Sequence, residues 1–134
     1  MLNQVMLIDE DDVTLMICEL RLKKSQFCKN VISFFSANEA LTYYKNQILL
    51  PKNEQELPEL IFLDLNMPEK SGWEFLEEFE QEIMPHIKAP QIAILSSTVD
   101  PKDSEKASYN PYITAFINKP LTTESLANFK AEIR

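Results

Sequence analysis

Leu60-Ile61-Phe62-Leu63 is apolar at every position and is closed by Asp64, and no other stretch constrains the fold as tightly. A short run without polar alternation reads as a strand buried on both faces, the kind found inside a parallel sheet. Asp64 then stands at the carboxyl end of that strand, where a doubly wound sheet opens the crevice that holds ligands. A carboxylate in such a place is costly unless something binds it. Pro68 and Gly72 force a turn, and Ser71-Gly72-Trp73-Glu74 has the spacing of a capping box at the start of a helix.

The rest of the chain repeats this alternation. Gln4 to Ile8 reads as a buried strand, followed by Asp9-Glu10-Asp11-Asp12 and by Val13, Met16, Ile17 and Leu20. Those four fall at i, i+3, i+4 and i+7, which predicts the inward stripe of a helix capped by Asp12 and running to about Phe27. Val31 to Phe35 is the second strand. A second helix follows from Ser36, with Ala37, Ala40, Leu41, Tyr44 and Ile48 as its stripe. The stretch from Pro51 to Pro58 reads as a surface loop. Trp73, Leu76, Phe79 and Ile83 are expected inward on the third helix, opposite a glutamate-rich solvated face.

Ile92 to Leu95 is the fourth strand, ending in Ser96-Ser97-Thr98. Asp100-Pro101 opens a fourth helix, Lys102 to Tyr109, with almost no apolar stripe, which marks it as weakly docked. Ile113 to Ile117 is the fifth strand, followed by Asn118-Lys119-Pro120. Thr122 caps the last helix, stapled by Leu121 and Leu126 and buried through Leu126, Phe129 and Ile133. Five strands alternating with five helices define a parallel sheet covered on both faces.

Bulk properties narrow the function. The formal net charge of −8 opposes phosphate-backbone binding, which needs a basic face. A single glycine in 134 residues leaves no glycine-rich loop for a nucleotide. No signal peptide and no apolar run near membrane-spanning length is present, so a cytoplasmic protein is expected. Cys18 and Cys28 lack metal or redox spacing and read as reduced structural thiols.

The strand ends carry the chemistry. Asp9 and Glu10 follow strand one, Asp64 ends strand three, Ser96 strand four, and Lys119 strand five; a parallel sheet gathers these ends on one edge. Carboxylates about 4 Å apart repel by roughly 4 kcal/mol per pair at an effective dielectric near 20. They persist as ions only with a cation among them, and an all-oxygen set with few protein groups suits magnesium. A metal, an ammonium and a hydroxyl around one carboxylate can together stabilise a phosphoryl group in transfer to it.

Asp9-Glu10, Asp64, Ser96 and Lys119-Pro120, in this order and at these strand ends, resemble the receiver domain of two-component response regulators, of the single-domain chemotaxis type, across all 134 residues. The resemblance implies a flavodoxin-like α/β fold, with a five-stranded parallel sheet of order 2-1-3-4-5. It implies Asp64 as phosphoacceptor, and Mg2+ held by Asp9, Glu10, Asp64 and the backbone carbonyl of Asn66. Ser96 and Lys119 would contact the phosphoryl group, Phe116 would be the rotating aromatic of the switch, and the Lys119-Pro120 bond would be cis. Ser96 stands where the family more often has threonine, and Phe116 where tyrosine is frequent. Tyr109-Asn110-Pro111-Tyr112 replaces a region usually built of small residues and glycine.

The expected function is a signalling switch that takes its phosphoryl group from a histidine kinase or phosphotransfer protein. It would signal by docking a downstream protein or by onward relay, without nucleic acid or membrane. With no output domain after the last helix, residues 1–134 would be one receiver domain. His86, the only histidine, follows Pro85 at a helix end and is a poor phosphodonor. The chain is then not an enzyme beyond catalysing its own phosphorylation and dephosphorylation. Two alternatives differ by residue. A haloacid dehalogenase-like phosphatase needs a second aspartate two positions after the nucleophile, where Asn66 stands. A pseudo-receiver that only binds partners would have lost the acceptor, an acidic residue or the lysine, and all are present.

Overall fold

The computed structural model describes residues 1–97 and 100–133. Thr98, expected to close the fourth strand, lies outside them. Five parallel strands, β1 (Leu2–Ile8), β2 (Cys28–Phe34), β3 (Leu60–Leu63), β4 (Gln91–Ser96) and β5 (Ile113–Asn118), form one sheet of order β2-β1-β3-β4-β5. The connecting helices are α1 (Asp12–Lys24), α2 (Ala37–Gln47), α3 (Gly72–Glu82), α4 (Pro101–Ser108) and α5 (Thr123–Lys130). This is the flavodoxin-like fold expected.

Strand alternation divides the core into two layers. Met6, Ile8, Ile61, Leu63, Ile92 and Ile94 face α2 and α3, packing on Leu41, Tyr44, Phe75, Leu76 and Phe79. Val5, Leu7, Leu60, Phe62, Ala93 and Leu95 face α1 and α5, against Leu15, Cys18, Leu22, Leu126 and Phe129. Every residue of β3 is buried, as its unbroken apolar sequence requires. Capping boxes at Ser71–Glu74 and Thr122–Ser125 start α3 and α5, and Asp100 caps α4 by accepting the Lys102 N–H at 2.9 Å. Cys18 and Cys28 are buried free thiols. Among the described residues no helix is long and apolar enough to cross a membrane.

Helix α1 departs from the expected phase. Its buried residues are Leu15, Cys18 and Leu22, whereas Val13, Met16 and Leu20 are 53%, 55% and 62% exposed and Ile17 is half-buried. The cap is Asp11, which accepts the Val13 N–H at 3.0 Å, and Asp12 is the first helical residue. Leu15, Cys18 and Leu22 each lie two residues beyond Val13, Met16 and Leu20, about 200° around a helix with 3.6 residues per turn, so packing one stripe inward turns the other to solvent. The helix also stops at Lys24, short of Phe27. Gln26 takes a positive φ of 53°, and the Phe27 N–H reaches back to the Leu22 carbonyl. Phe27 can then enter the core, with its ring stacked on Phe129 at 6.3 Å.

On α3 the buried residues include Phe75, which the expected stripe omitted, while Trp73 is only half-buried. Pairing of β2 begins at Cys28, earlier than expected, because Leu2 pairs with Cys28 at the edge of the sheet.

Candidate functional site at the carboxyl edge of the sheet

Register brings the acidic residues together. Ile8 pairs with both Phe34 and Leu63, so Asp9 and Asp64 leave adjacent strands at the same level. Their backbones continue the ladder for one more step: the Asp9 N–H donates to the Phe34 carbonyl at 3.1 Å, and the Asp64 N–H to the Ile8 carbonyl at 3.0 Å. From β5, the Lys119 N–H donates to the Ser96 carbonyl at 2.8 Å, which fixes the root of the lysine beside β4. The Lys119-Pro120 peptide bond is cis.

Asp9 and Asp64 are buried, at 3% and 5% exposure. Asp9 Oδ1 accepts the Asp11 N–H at 2.9 Å, and Asp64 Oδ1 accepts the Asn66 N–H at 3.3 Å. The Lys119 Nζ lies 2.5 Å from Asp9 Oδ2 and 3.6 Å from Asp64 Oδ1, so a single ammonium serves both carboxylates. Burial first, then the Asp9 charge, push the Asp64 carboxyl above its ordinary range against the pull of Lys119. Burial alone would lower the Lys119 pKa. Its hydrogen bond to Asp9 and the two carboxylate charges more than reverse that.

These residues open into a cleft of about 470 Å³ lined by Asp9, Glu10, Asp64, Asn66 and Lys119, all named from sequence. Helix α1 contributes Thr14, Ile17 and Cys18 to the same wall, which sequence reading missed. The signal for Thr14 was its position three after Asp11, whose Oδ2 accepts the Thr14 hydroxyl at 3.0 Å. Cys18 is inert there, its thiol pushed up to about 11 by burial and the Asp9 charge. Ser96 is buried at 1% exposure at the end of β4, and its exposed neighbour Ser97 lines the cleft. Phe116 is half-buried on β5 opposite Ile94 and packs on the core layer of α2 and α3, away from the cleft.

The β3–α3 connection is built tightly around Asp64. A side chain on Gly72 would have its Cβ 2.6 Å from the Asp64 carbonyl oxygen and 2.9 Å from Leu65 Cα, so only glycine lets α3 start this close. Glu69 holds the turn with a positive φ of 66°, and Lys70 is ion-paired to Glu78 of α3.

Asp64 is thus a buried carboxylate at the carboxyl edge of a doubly wound sheet, with an acidic neighbour and a lysine at hand. The family model of the response regulator receiver domain matches residues 5–129, and the chain belongs to this family. Among solved structures, a two-component response regulator from Cytophaga hutchinsonii superposes with a TM-score of 0.86 at 27% identity, covering 98% of this chain and 96% of that one. Chemotaxis protein CheY4 of Vibrio cholerae shares the fold at a TM-score of 0.77 and 18% identity over the full length of both chains. The probable methanogenesis regulatory protein FilR2 of Methanothrix harundinacea is 22% identical over 97% of this chain and 80% of its own length.

Receiver domains generally bind Mg2+ for phosphorylation, and the donor set here suits that ion. Asp9 and Asp64 offer buried oxygens already compensated by a cation, with Glu10 and Asn66 on the same cleft. Among the described residues no three acidic, cysteine or histidine side chains form a closed cage. An ion here would keep several waters, as magnesium prefers.

Proposed function

We propose that the chain is a phosphoacceptor switch of a two-component or phosphorelay system, with Asp64 receiving a phosphoryl group from a histidine kinase or phosphotransfer protein. The observation that carries this reading is the Asp64 carboxylate, buried yet opening on a cleft, 3.6 Å from the Lys119 ammonium. An Asp64 oxygen attacks phosphorus and the phosphorus–nitrogen bond of a phosphohistidine breaks. The imidazole leaves with the electron pair and takes up a proton. Lys119 turns from Asp9 to the new phosphoryl oxygens, and Ser96 or Ser97 donates a hydroxyl to them. Magnesium held by Asp9, Glu10, Asp64 and the Asn66 carbonyl would neutralise charge developing on those oxygens.

The unexpected exposure of Val13, Met16 and Leu20 supports a docking role for α1. This apolar stripe adjoins the cleft through Ile17, and is flanked by Asp12 at the start of the helix and by Arg21, Lys23 and Lys24 at its end. A helical donor surface with an apolar centre and charges of both signs fits it. One assay tests acceptor and docking face. Acetyl phosphate with magnesium should add one phosphoryl mass to the wild type and none to Asp64→Asn; equal labelling of that variant refutes the acceptor. Leu20→Glu should label normally with acetyl phosphate, yet accept from a kinase found by transfer profiling at least tenfold more slowly. Unchanged kinase transfer refutes the docking face.

Phe116 would report the phosphorylated state to the α4–β5–α5 face by repacking as the hydroxyl at the end of β4 is drawn toward the phosphoryl group. Phe116→Ala should leave acetyl phosphate labelling intact while removing the amide shifts that the phosphoryl mimic beryllofluoride induces over residues 100–119. Persistence of those shifts excludes this route.

A further inference from the structure

Helix α4 has little to hold it. Ala107 is its one buried residue, and apart from Pro101 at its start the rest is polar. Besides its packing on β5, α4 is held to α3 through Trp73, the only tryptophan of the chain. The indole N–H of Trp73 donates to Asp103 Oδ1 at 2.9 Å, and the Lys106 ammonium lies 4.6 Å above the indole ring. Asp103 and Lys106 sit three residues apart on one face of α4, so the indole is gripped by a carboxylate at its edge and a cation on its π face. Trp73 occupies the first turn of α3, next to Gly72, whose Cα sits against the backbone of Asp64 and Leu65. The same short segment therefore touches the acceptor strand and holds α4.

We propose that Trp73 is a latch that fixes α4 in the resting state and lets go when Asp64 is phosphorylated. The first half stands on the observed contacts alone; the release rests on the phosphoacceptor reading. Movement of the β3–α3 connection around a phosphorylated Asp64 would be delivered to the indole through Gly72 with no intervening flexible segment. A polar, sparsely buried helix that loses this aromatic contact opens more readily.

Hydrogen exchange of the α4 amides tests both halves. In the resting protein, Trp73→Phe removes the donor, Asp103→Ala removes the acceptor and Lys106→Met removes the cation from the α4 side. The last two are surface changes that keep the test open should the tryptophan variant fold poorly. Each should speed exchange across residues 103–109 by about fivefold, the effect of one net hydrogen bond or cation–π contact. Unchanged exchange in all three overturns the latch. Beryllofluoride with magnesium should raise α4 exchange in the wild type to the level of Trp73→Phe and shift the emission of the single tryptophan. In Asp103→Ala, which leaves the indole N–H without this acceptor, both responses should be clearly reduced, because the resting state is already partly unlatched. If amides around Asp64 respond to the mimic while α4 exchange and Trp73 emission stay constant, release is refuted and the acceptor reading survives. If nothing responds around Asp64 either, the acceptor reading fails and takes release with it, while the resting-state variants still decide the latch.

Discussion

Lys119→Met is expected to destabilise the protein by about 3 kcal/mol at neutral pH, with most of that loss recovered in acid or on adding magnesium. The ammonium is the near partner of two buried carboxylates, 2.5 Å from Asp9 and 3.6 Å from Asp64, with only 14% of its own side chain exposed. Removing one member of such a group leaves the others buried and uncompensated, which costs far more than losing a surface ion pair. The sign of the pH dependence follows from the direction of each shift. The folded pKa of Lys119 is raised, so its contribution is complete below the unfolded value and is lost only as pH rises through the folded one. Wild-type stability therefore contains the whole contribution at pH 7.

Asp64 behaves oppositely. Burial and the Asp9 charge raise its pKa in the folded state, so its ionised form opposes folding above that value, and the penalty vanishes as pH falls below the unfolded pKa. Without Lys119 the penalty grows. The deficit of Lys119→Met relative to wild type should then shrink as pH drops from 7 to about 4, near the ordinary carboxylate range. Magnesium held by the folded site alone would stabilise by mass action, so it should raise the variant more than the wild type. Urea titrations at the two pH values, with and without millimolar magnesium, measure all of this. A deficit that ignores both acid and magnesium would mean that Lys119 acts through packing of its stem, not as counter-ion to Asp9 and Asp64.

What could be read from sequence was what single residues dictate locally. β3 has no polar position and must be central. Asp64 closes it, and parallel topology then places Asp9 and Lys119 on the same edge. The phase of α1 was not readable in this way, because the helix carries two interleaved apolar stripes, Val13-Met16-Leu20 and Leu15-Cys18-Leu22, each with acceptable spacing. Tertiary packing chose the second, and the first became a surface feature beside the cleft. The end of α1 was hidden for a related reason: Gln26 takes a conformation usually signalled by glycine. Trp73 was expected inward with the other apolar residues of α3. Its indole N–H needs an acceptor when partly buried, and Asp103 on α4 supplies it. The lysine between two carboxylates, nearer Asp9 than Asp64, depends on side-chain reach across strands, which no spacing rule encodes.

The other large effect is expected at the only glycine. Gly72→Ala should destabilise the fold by about 3 kcal/mol and impair labelling of Asp64 by acetyl phosphate. Two effects oppose each other at this site. Alanine is the better helix former by about 1 kcal/mol and also restricts the unfolded chain. The glycine has no positive φ, so backbone conformation gives alanine no penalty. Against this, the new Cβ would lie 2.6 Å from the Asp64 carbonyl oxygen, 2.9 Å from Leu65 Cα and 3.0 Å from Leu65 Cδ2. The two closest atoms belong to backbone, which cannot swing aside as a flexible side chain could, so overpacking outweighs propensity. Relief requires α3 to lift or the chain at Asp64–Leu65 to shift, and the Gly72 N–H to Leu65 carbonyl hydrogen bond of 2.9 Å resists the first. Asp64 is therefore displaced along with its backbone, and the phosphoryl transfer proposed for it, which would tolerate little misplacement of the nucleophile, should slow. Denaturant midpoints and labelling rates for Gly72→Ala decide the point. Wild-type stability together with a wild-type labelling rate would show that α3 is not seated on the end of β3, and would remove the path from Asp64 to Trp73.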